Sequence, residues 1–536
     1  MIRINNVHIP LDYSDEVILK KAAKELRVDK NAIKSVSIFR RSVDARKKDN
    51  IYFLCSIDVE LNVNEYTVLK KCKNTVKVTP YRYETKEWKG GTSPVVVGMG
   101  PAGLFASLIL AQSGAKPILI ERGRDVDRRH DDVQKFWLTG KLDTTSNVQF
   151  GEGGAGTFSD GKLNTGTKDI RQRKVLEEFV KHGAPDEILY NAKPHIGTDK
   201  LKITVKNIRE KIIDLGGTVL FETKLTGFNT KDGKITGVIV EKQGKNDIIE
   251  TDNVILAIGH SARDTFEMLF DKGIPIEAKS FSVGARIEHL RESIDRSQYG
   301  KFSGNKNLGA ASYKLNTHLP NGRGVYTFCM CPGGKVVNAS SEENMLVTNG
   351  MSEFARDEIN SNSALLVGVS PDDFNSDSPL AGMYFQRELE KRAFELGGSN
   401  YNAPVQRIED FLGNTKSKFL GEVKPSICPD YELCDLNTIL PDFIADSMKQ
   451  GIKNMGKKLS GFDYGDTVLT GVETRSSSPI RILRNSETLE SIKIKGLYPC
   501  GEGAGYAGGI ISAAVDGIKC AEEIINKNNK HYKSTL

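Results

Sequence analysis

The chain has 536 residues, of which 38% are apolar and 27% charged; it is too long for one compact core and too evenly mixed for a disordered or fibrous protein. Its 75 basic and 69 acidic residues leave a net charge of only +6, which is ordinary surface chemistry and no footprint for nucleic acid. No apolar run approaches the ~20 residues that span a bilayer, and the first residues lack the order of a secretory signal, so a soluble cytoplasmic protein is expected.

Residues Ile2 to Ile9 have strand character. Ser14 is placed to cap a helix whose apolar stripe is Val17, Leu19, Ala22 and Leu26. Strand-like runs at Ser35–Phe39 and Ile51–Val59 and a helical run at Glu65–Cys72 complete a β-α-β-β-α order, which predicts a ferredoxin-like α/β module. The polar stretch Tyr81–Ser93 reads as a linker. The pattern then changes to a short apolar strand, Val95–Val97, an apolar helix, Leu104–Gln112, and a second strand, Ile118–Ile120, which together make one βαβ unit of a parallel sheet. Val219–Ile258 carries turn signals that predict a strand meander, and apolar helical character returns after Gly509.

The main motif is Gly98-Met99-Gly100-Pro101-Ala102-Gly103, set between the strand and the helix. In this context Gly98 makes the tight turn and Gly100 admits a pyrophosphate to the helix N-terminus, where Pro101 is favoured. Gly103 lets helix and strand close. Glu121 ends the second strand, where a carboxylate accepts from an adenosine ribose, with Arg122 beside it. Near the C-terminus stand Gly496–Gly505 and Tyr506–Gly517. They resemble the second FAD fingerprint of glutathione-reductase-like flavoproteins, with Gly501 and Glu502 in place of Gly-Asp, and Gly508, Gly509 and Ile510 opening a helix toward the flavin. Val254–Ser261, with Gly259, resembles the Ala-Thr-Gly loop of that superfamily. The glycine-rich segment Asn147–Lys162, with Gly153, Gly154, Thr157, Ser159 and Lys162, reads as a loop wrapping the cofactor.

These motifs, with Gly259–Asp264, Gly324–Gly334, Thr348–Met351 and Thr470–Arg481, resemble a family of uncharacterised bacterial FAD-dependent dehydrogenases over nearly the whole chain. The resemblance implies a Rossmann-type FAD-binding fold of the α/β class with an inserted α+β capping domain. It implies an accessory module over residues 1–85, FAD-binding segments at 91–265 and 486–526, and a substrate or capping domain over 266–485.

Candidate catalytic groups are Arg475, Arg481 and His260, with Ser476 beside the arginines and His289 a second candidate proton donor. The arginines are placed by chain order to bind an anion bidentately, or else to form ion pairs between domains. Arg263 and Asp264 fit the cap of a helix beginning after Ser261. None of the eight cysteines forms Cys-x-x-Cys, so neither disulfide-reductase chemistry nor a metal site is expected; Cys329 and Cys331 alternate on one side of a strand. The expected activity is two-electron hydride transfer through flavin N5 on a small, anionic substrate. The chain has no second G-x-G-x-x-G in a strand-to-helix setting, so NADH or NADPH, if used, is a transient donor at the flavin face. The alternatives are a flavin enzyme that modifies tRNA, to which the charge of +6 lends little, and a non-catalytic flavin-binding regulator.

Overall fold

The computed structural model describes residues 1–166 and 168–535. Strand β1 (Ile2–Ile9), helix α1 (Asp15–Leu26), β2 (Ile33–Asp44), β3 (Tyr52–Leu61), α2 (Glu65–Lys71) and β4 (Thr75–Lys77) form the first unit. Their strands pair antiparallel in the order β2-β3-β1-β4. The inward residues of β1 switch from Ile2 and Ile4 to Val7 and Ile9, because a bulge at Asn6, with φ 59°, adds a residue between them. The buried stripe of α1 is Ile18, Ala22 and Leu26, at helical spacing, and not the stripe through Val17 and Leu19. The unit is bound to the rest of the chain through the edge of β2, where Arg41 and residues 190–192 exchange two backbone hydrogen bonds of 2.7 and 2.8 Å. The stretch expected to be a linker is pinned down as well. Tyr83 donates to Glu522 at 2.8 Å, and the Trp88 N–H to the Ser113 carbonyl at 2.8 Å.

Strand β5 (Val95–Val97), helix α3 (Pro101–Ser113) and β6 (Ile118–Ile120) follow. Helices α4 (Val126–Thr139), α5 (Arg171–Lys181) and α6 (Thr198–Asp214) lead to β7 (Thr218–Leu220). Strands β8 (Thr223–Lys231), β9 (Lys234–Lys242) and β10 (Lys245–Glu250) form an antiparallel meander, and β11 (Val254–Leu256) follows it. The meander is therefore shorter than expected. Its predicted ends, β7 and β11, belong to a parallel sheet, and the unbroken apolar run Val254-Ile-Leu256 marks a strand covered on both faces.

Helix α7 (Arg263–Asp271) leads to β12 (Ile276–Ala278), β13 (Phe281–Leu290), α8 (Arg291–Tyr299), β14 (Asn316–His318) and β15 (Gly324–Cys331). Next come the paired β16 (Lys335–Asn338) and β17 (Thr348–Met351), β18 (Asn360–Val369), α9 (Ala381–Leu396), β19 (Ala403–Arg407) and α10 (Ile408–Leu412). Strand β20 (Tyr431–Leu433), α11 (Asp442–Gly456), β21 (Val468–Glu473) and β22 (Ile480–Ile482) close this region. Seven of these strands make a sheet in the order β14-β15-β18-β13-β21-β19-β20, and β12 pairs with β22 where the chain leaves and re-enters. In the central β13, Val283, Ala285 and Ile287 enter an apolar core, while Ser282, Arg286 and Glu288 take the other face, as a period of two requires.

Strand β23 (Leu497–Pro499) and helix α12 (Ile510–Thr535) complete the parallel sheet, whose order is β23-β11-β5-β6-β7. In chain sense this is 3-2-1-4-5 from its β7 edge, the order of a dinucleotide-binding sheet. Helices α3 and α12 cross at backbone contact: a Cβ on Gly517 would lie 2.0 Å from the Ala102 carbonyl oxygen. Gly517→Val is expected to overpack this crossing and cost about 1–3 kcal/mol, read as a lower Tm or urea midpoint. An unchanged midpoint would show that the helices separate without cost.

Candidate functional site

The carboxyl ends of β5, β6, β11 and β23 open into one cavity of about 740 Å³, within the ~300–1,000 Å³ typical of ligand and cofactor pockets. The three glycines of the first motif have different tasks. A Cβ on Gly98, whose φ is 95°, would lie 2.4 Å from the Ala257 carbonyl oxygen, and one on Gly103 would lie 1.8 Å from that of Gly98. These two close the strand–helix packing. Gly100 has an ordinary φ of −71°, and a Cβ there would meet nothing nearer than the Cα of Gly154 at 3.9 Å. Its missing side chain leaves open space on the cavity wall at the N-terminus of α3, where Pro101 occupies the first turn and Ala102 also lines the wall. Backbone N–H groups of that turn have no partner within the helix, and with the helix dipole they suit a phosphate.

Glu121 lines the cavity with its carboxylate fixed by backbone donors: Met99 to Oε2 at 2.9 Å, and Gly123 and Gly151 to Oε1 at 2.9 and 3.0 Å. Oε2 keeps a lone pair for a ribose hydroxyl. Arg122 also lines the cavity, but both its Nη atoms donate to Asp264, at 2.9 and 2.8 Å, while its guanidinium lies 4.3 Å from the Phe150 ring centroid. The Arg122 and Lys224 cations outweigh burial and hold the Asp264 carboxyl well below its usual range.

The 147–162 loop is a built structure. Arg129, wholly buried on α4, donates to the carbonyls of Asn147, Val148 and Glu152 at 2.8, 2.9 and 2.6 Å. Burial pushes Glu152 up to about 7 even though Arg209 pairs with it at 2.9 Å. Gly154 reaches the cavity wall against Gly100, whereas Gly153 and Thr157 serve the inside of the loop: Thr157 donates to the Glu152 carbonyl at 3.2 Å. Lys162 lines the cavity; its Nζ is buried with no hydrogen-bond partner among the described residues, 3.7 Å from Asp160. Asp160 is itself held by Arg356, at 2.9 and 2.5 Å, and by Ser352.

From the opposite side come Gly259, Glu502, Gly508, Gly509 and Ile510. Nothing lies within 4 Å of a Cβ built on Gly259, Gly508 or Gly509, so backbone alone faces the cavity there, and Ile510 starts α12 with its N-terminus toward it. Gly501 stands behind this wall, where a Cβ would lie 2.8 Å from that of Ala102. His260 Nδ1 is 3.3 Å from Glu502 Oε1, so the catalytic candidate and the expected ribityl acceptor form one pair.

The two candidate arginines separate. Arg475 lines the cavity, but its Nε and Nη2 donate to Glu390 at 3.0 and 2.6 Å and its Nη1 to Ser341 at 2.6 Å. Arg481 is outside the cavity lining, 3.3 Å from Glu277 on an exposed strand pair. His289 is also away from the cavity; its Nε2 meets the Phe462 carbonyl at 2.9 Å, and burial lowers it to about 4. Helix α7 does begin after Ser261, with Ala262 as its N-cap; Asp264 accepts the first-turn Thr265 N–H at 2.8 Å while also pairing with Arg122, whereas Arg263 takes no part in the cap and donates to Glu390 at 2.9 and 2.7 Å.

Glu473 lay unmarked inside the Thr470–Arg481 motif. It lines the cavity and receives Arg286 Nε and Nη2 at 2.5 and 2.9 Å. Burial pushes its carboxyl up to about 7 against the pull of Arg286. Only its burial singles it out, and spacing along the chain does not report that.

A family described as FAD-dependent protein, C-terminal domain-like, matches residues 280–476, and a domain of unknown function matches residues 1–60. A Clostridium beijerinckii protein described as uncharacterised is 52% identical over 532 residues, 98% of this chain and 99% of its own. The chain belongs to this FAD-dependent family. Digeranylgeranylglycerophospholipid reductase of Methanocaldococcus jannaschii is 29% identical over 171 residues, 31% of this chain and 37% of that protein. Among solved structures, flavin-dependent brominase Bmp2 is similar at 13% identity, with 82% of this chain and 79% of that chain covered and a TM-score of 0.38. A geranylgeranyl bacteriochlorophyll reductase-like protein from Thermoplasma acidophilum has 13% identity, 84% of each chain covered and a TM-score of 0.36.

The residues present fit the family's cofactor: open backbone at Gly100, Gly508 and Gly509, two helix N-termini at one cavity, and a fixed carboxylate at Glu121. Gly100→Val is expected to yield folded, colourless protein, with flavin read by absorbance after heat release. The wild type is expected to release FAD and not FMN, because Glu121 stands where an adenosine ribose needs an acceptor. Full flavin content in the variant would displace the pyrophosphate from this turn.

Proposed function

We propose that the chain is a two-electron oxidoreductase acting on a small, anionic organic molecule that binds in the part of the cavity lined by Lys162, Arg356 and Glu473. The observation that carries this reading is the buried Lys162 Nζ, which has no hydrogen-bond partner among the described residues and stands 3.7 Å from the Arg356-paired Asp160, on the wall of the cavity that also contains the dinucleotide cradle. A buried ammonium in that state favours an incoming carboxylate or phosphate.

When bound, FAD supplies hydride chemistry at N5. The cradle of α3 and Glu121 would hold its adenosine half, the backbone at Gly508–Gly509 its flavin half, and the His260–Glu502 pair its polyol. Lys162 binds the substrate anion. Glu473 holds the exchangeable proton, its raised pKa keeping a large protonated fraction at neutral pH. Arg475 acts through Glu390 and Ser341, which take its donors, and not as an anion clamp. Arg481 has no role in this reading. A nicotinamide donor, NADH or NADPH, binds transiently at the flavin face and competes with substrate there. The inserted α+β region over 266–485 caps the FAD-binding segments, and the ferredoxin-like module over 1–85 is accessory. Eight unbridged cysteines suit a reducing cytoplasm.

An anaerobic screen tests this: bleaching by NADH or NADPH, then reoxidation by small carboxylates and phosphates against their neutral amides and esters. The anions are expected to reoxidise the flavin, and Lys162→Met to raise their KM about tenfold or more with FAD content unchanged. If Glu473 gives its proton to the substrate, the active form is the protonated one. Reoxidation should then slow as pH rises through about 7 in the wild type and lose that limb in Glu473→Gln. Faster reoxidation by the neutral analogues would overturn the anionic assignment.

A further inference from the structure

Strand β15 does not stay regular to its end. Its pairing with β18 shifts register between Phe328 and Cys331, and Cys329 sits in the left-handed region at φ 43°. The expected simple alternation of the two thiols is therefore replaced by a bulge, which aims residue 329 differently from its neighbours. Cys329 lines the cavity, while Cys331 is wholly buried behind it and donates its thiol to the Cys329 carbonyl at 3.3 Å. Arg286 Nη1 donates to that carbonyl at 2.9 Å. The charged groups that face Cys329 are Lys162 and Arg286, which favour a thiolate, and Asp160 and Glu473, which oppose it. The neighbouring Cys331 thiol, then Lys162 and Arg286, hold the Cys329 thiol well below its ordinary range, and its coupling to Cys329 and its burial push Cys331 up. Thiol–disulfide chemistry needs a thiolate with a second thiol beside it, and these two residues supply both.

We propose that Cys329 and Cys331 are a redox pair that exchanges two electrons with the flavin in the same cavity. The proposal rests on FAD binding there. In the forward direction the Cys329 thiolate and the Cys331 thiol join in one S–S bond. Two electrons and the Cys331 proton pass to oxidised FAD, leaving a disulfide and reduced, anionic flavin, so atoms and charge balance. The reverse step returns the electrons and the proton and restores thiolate and thiol. The absence of Cys-x-x-Cys excludes a standard disulfide-reductase motif, but not this Cys-x-Cys pair, whose geometry the bulge sets.

The test is an anaerobic dithionite titration of the holoprotein, with thiols counted by alkylation and mass spectrometry at each point. The native protein should take up twice the reducing equivalents per flavin taken up by Cys331→Ser, and gain two alkylatable thiols, both at Cys329 and Cys331, as it is reduced. In Cys331→Ser, with oxidised flavin, a long-wavelength thiolate–flavin absorbance should persist, and Cys329→Ser should lack it. Uptake equal to that of the flavin alone in native protein, with an unchanged thiol count, would overturn the proposal while leaving the oxidoreductase reading intact. Failure of that reading is seen separately, as a flavin that no nicotinamide or substrate bleaches or reoxidises. Thiol counting on native protein keeps the test valid even if a serine variant fails to fold.

Discussion

Glu390 is a wholly buried carboxylate on α9, and two arginines from distant parts of the chain grip it. Arg263 comes from the start of α7, where the chain leaves the parallel sheet, and Arg475 from just beyond β21, where it turns back. Thr474 adds a donor at 2.6 Å, and Glu342 takes a further bond from Arg263 at 2.6 Å. One carboxylate thus ties the outgoing and returning crossings to the same helix of the inserted region. Burying these charges carries a desolvation cost that is met only because every oxygen of Glu390 is saturated with donors. The two cations outweigh burial and hold the Glu390 carboxyl far below its usual range, so it stays charged and the clasp persists across physiological pH.

A second buried pair sets the chemistry of the far wall. Arg286 on β13 faces Glu473 on β21, and its remaining donors go to Asn349, Asn362 and the Cys329 carbonyl. The guanidinium is thereby fixed behind the two residues of that wall with unusual proton affinity, Glu473 and Cys329. The same strand turns Val283, Ala285 and Ile287 into the apolar core, so core stability and cavity electrostatics rest on alternate residues of one strand. A shift of register there would exchange the two roles.

Glycine does two opposite things around the dinucleotide cradle. Gly98, Gly103, Gly501 and Gly517 lack a side chain because protein already occupies the space, with carbonyl oxygens or an alanine methyl within 1.8 to 2.8 Å of where a Cβ would be. Gly100, Gly508 and Gly509 lack one although the protein leaves the space free. Packing, with a left-handed backbone at Gly98 and Gly501, accounts for the first group; Gly509, at φ 156°, is also required by its backbone, so Gly100 and Gly508 are the two whose open space on the cavity wall neither packing nor backbone explains. The sequence motif does not separate the groups; the positions of neighbouring atoms do.

The sequence by itself determined the dinucleotide-binding core, because its signals are local. Strand, glycine turn, helix N-terminus and terminal acid all lie within one βαβ unit, and backbone sterics and the helix dipole act over a few residues. The order of elements in the first module was readable for the same reason. The tertiary structure decided which side chains meet. Arg475 is close in sequence to the C-terminal motif, but its guanidinium is taken by Glu390, 85 residues away. Arg481, a few residues on, points to the exposed Glu277. Val219 and Val254 flank a meander in sequence but belong to the parallel sheet. Glu473 and Cys329 gain their character from burial and from Arg286 and Lys162, which are far away along the chain. Proton affinity and ion pairing depend on distance and solvent exclusion, and residue spacing carries neither once the contact crosses from one sheet to another.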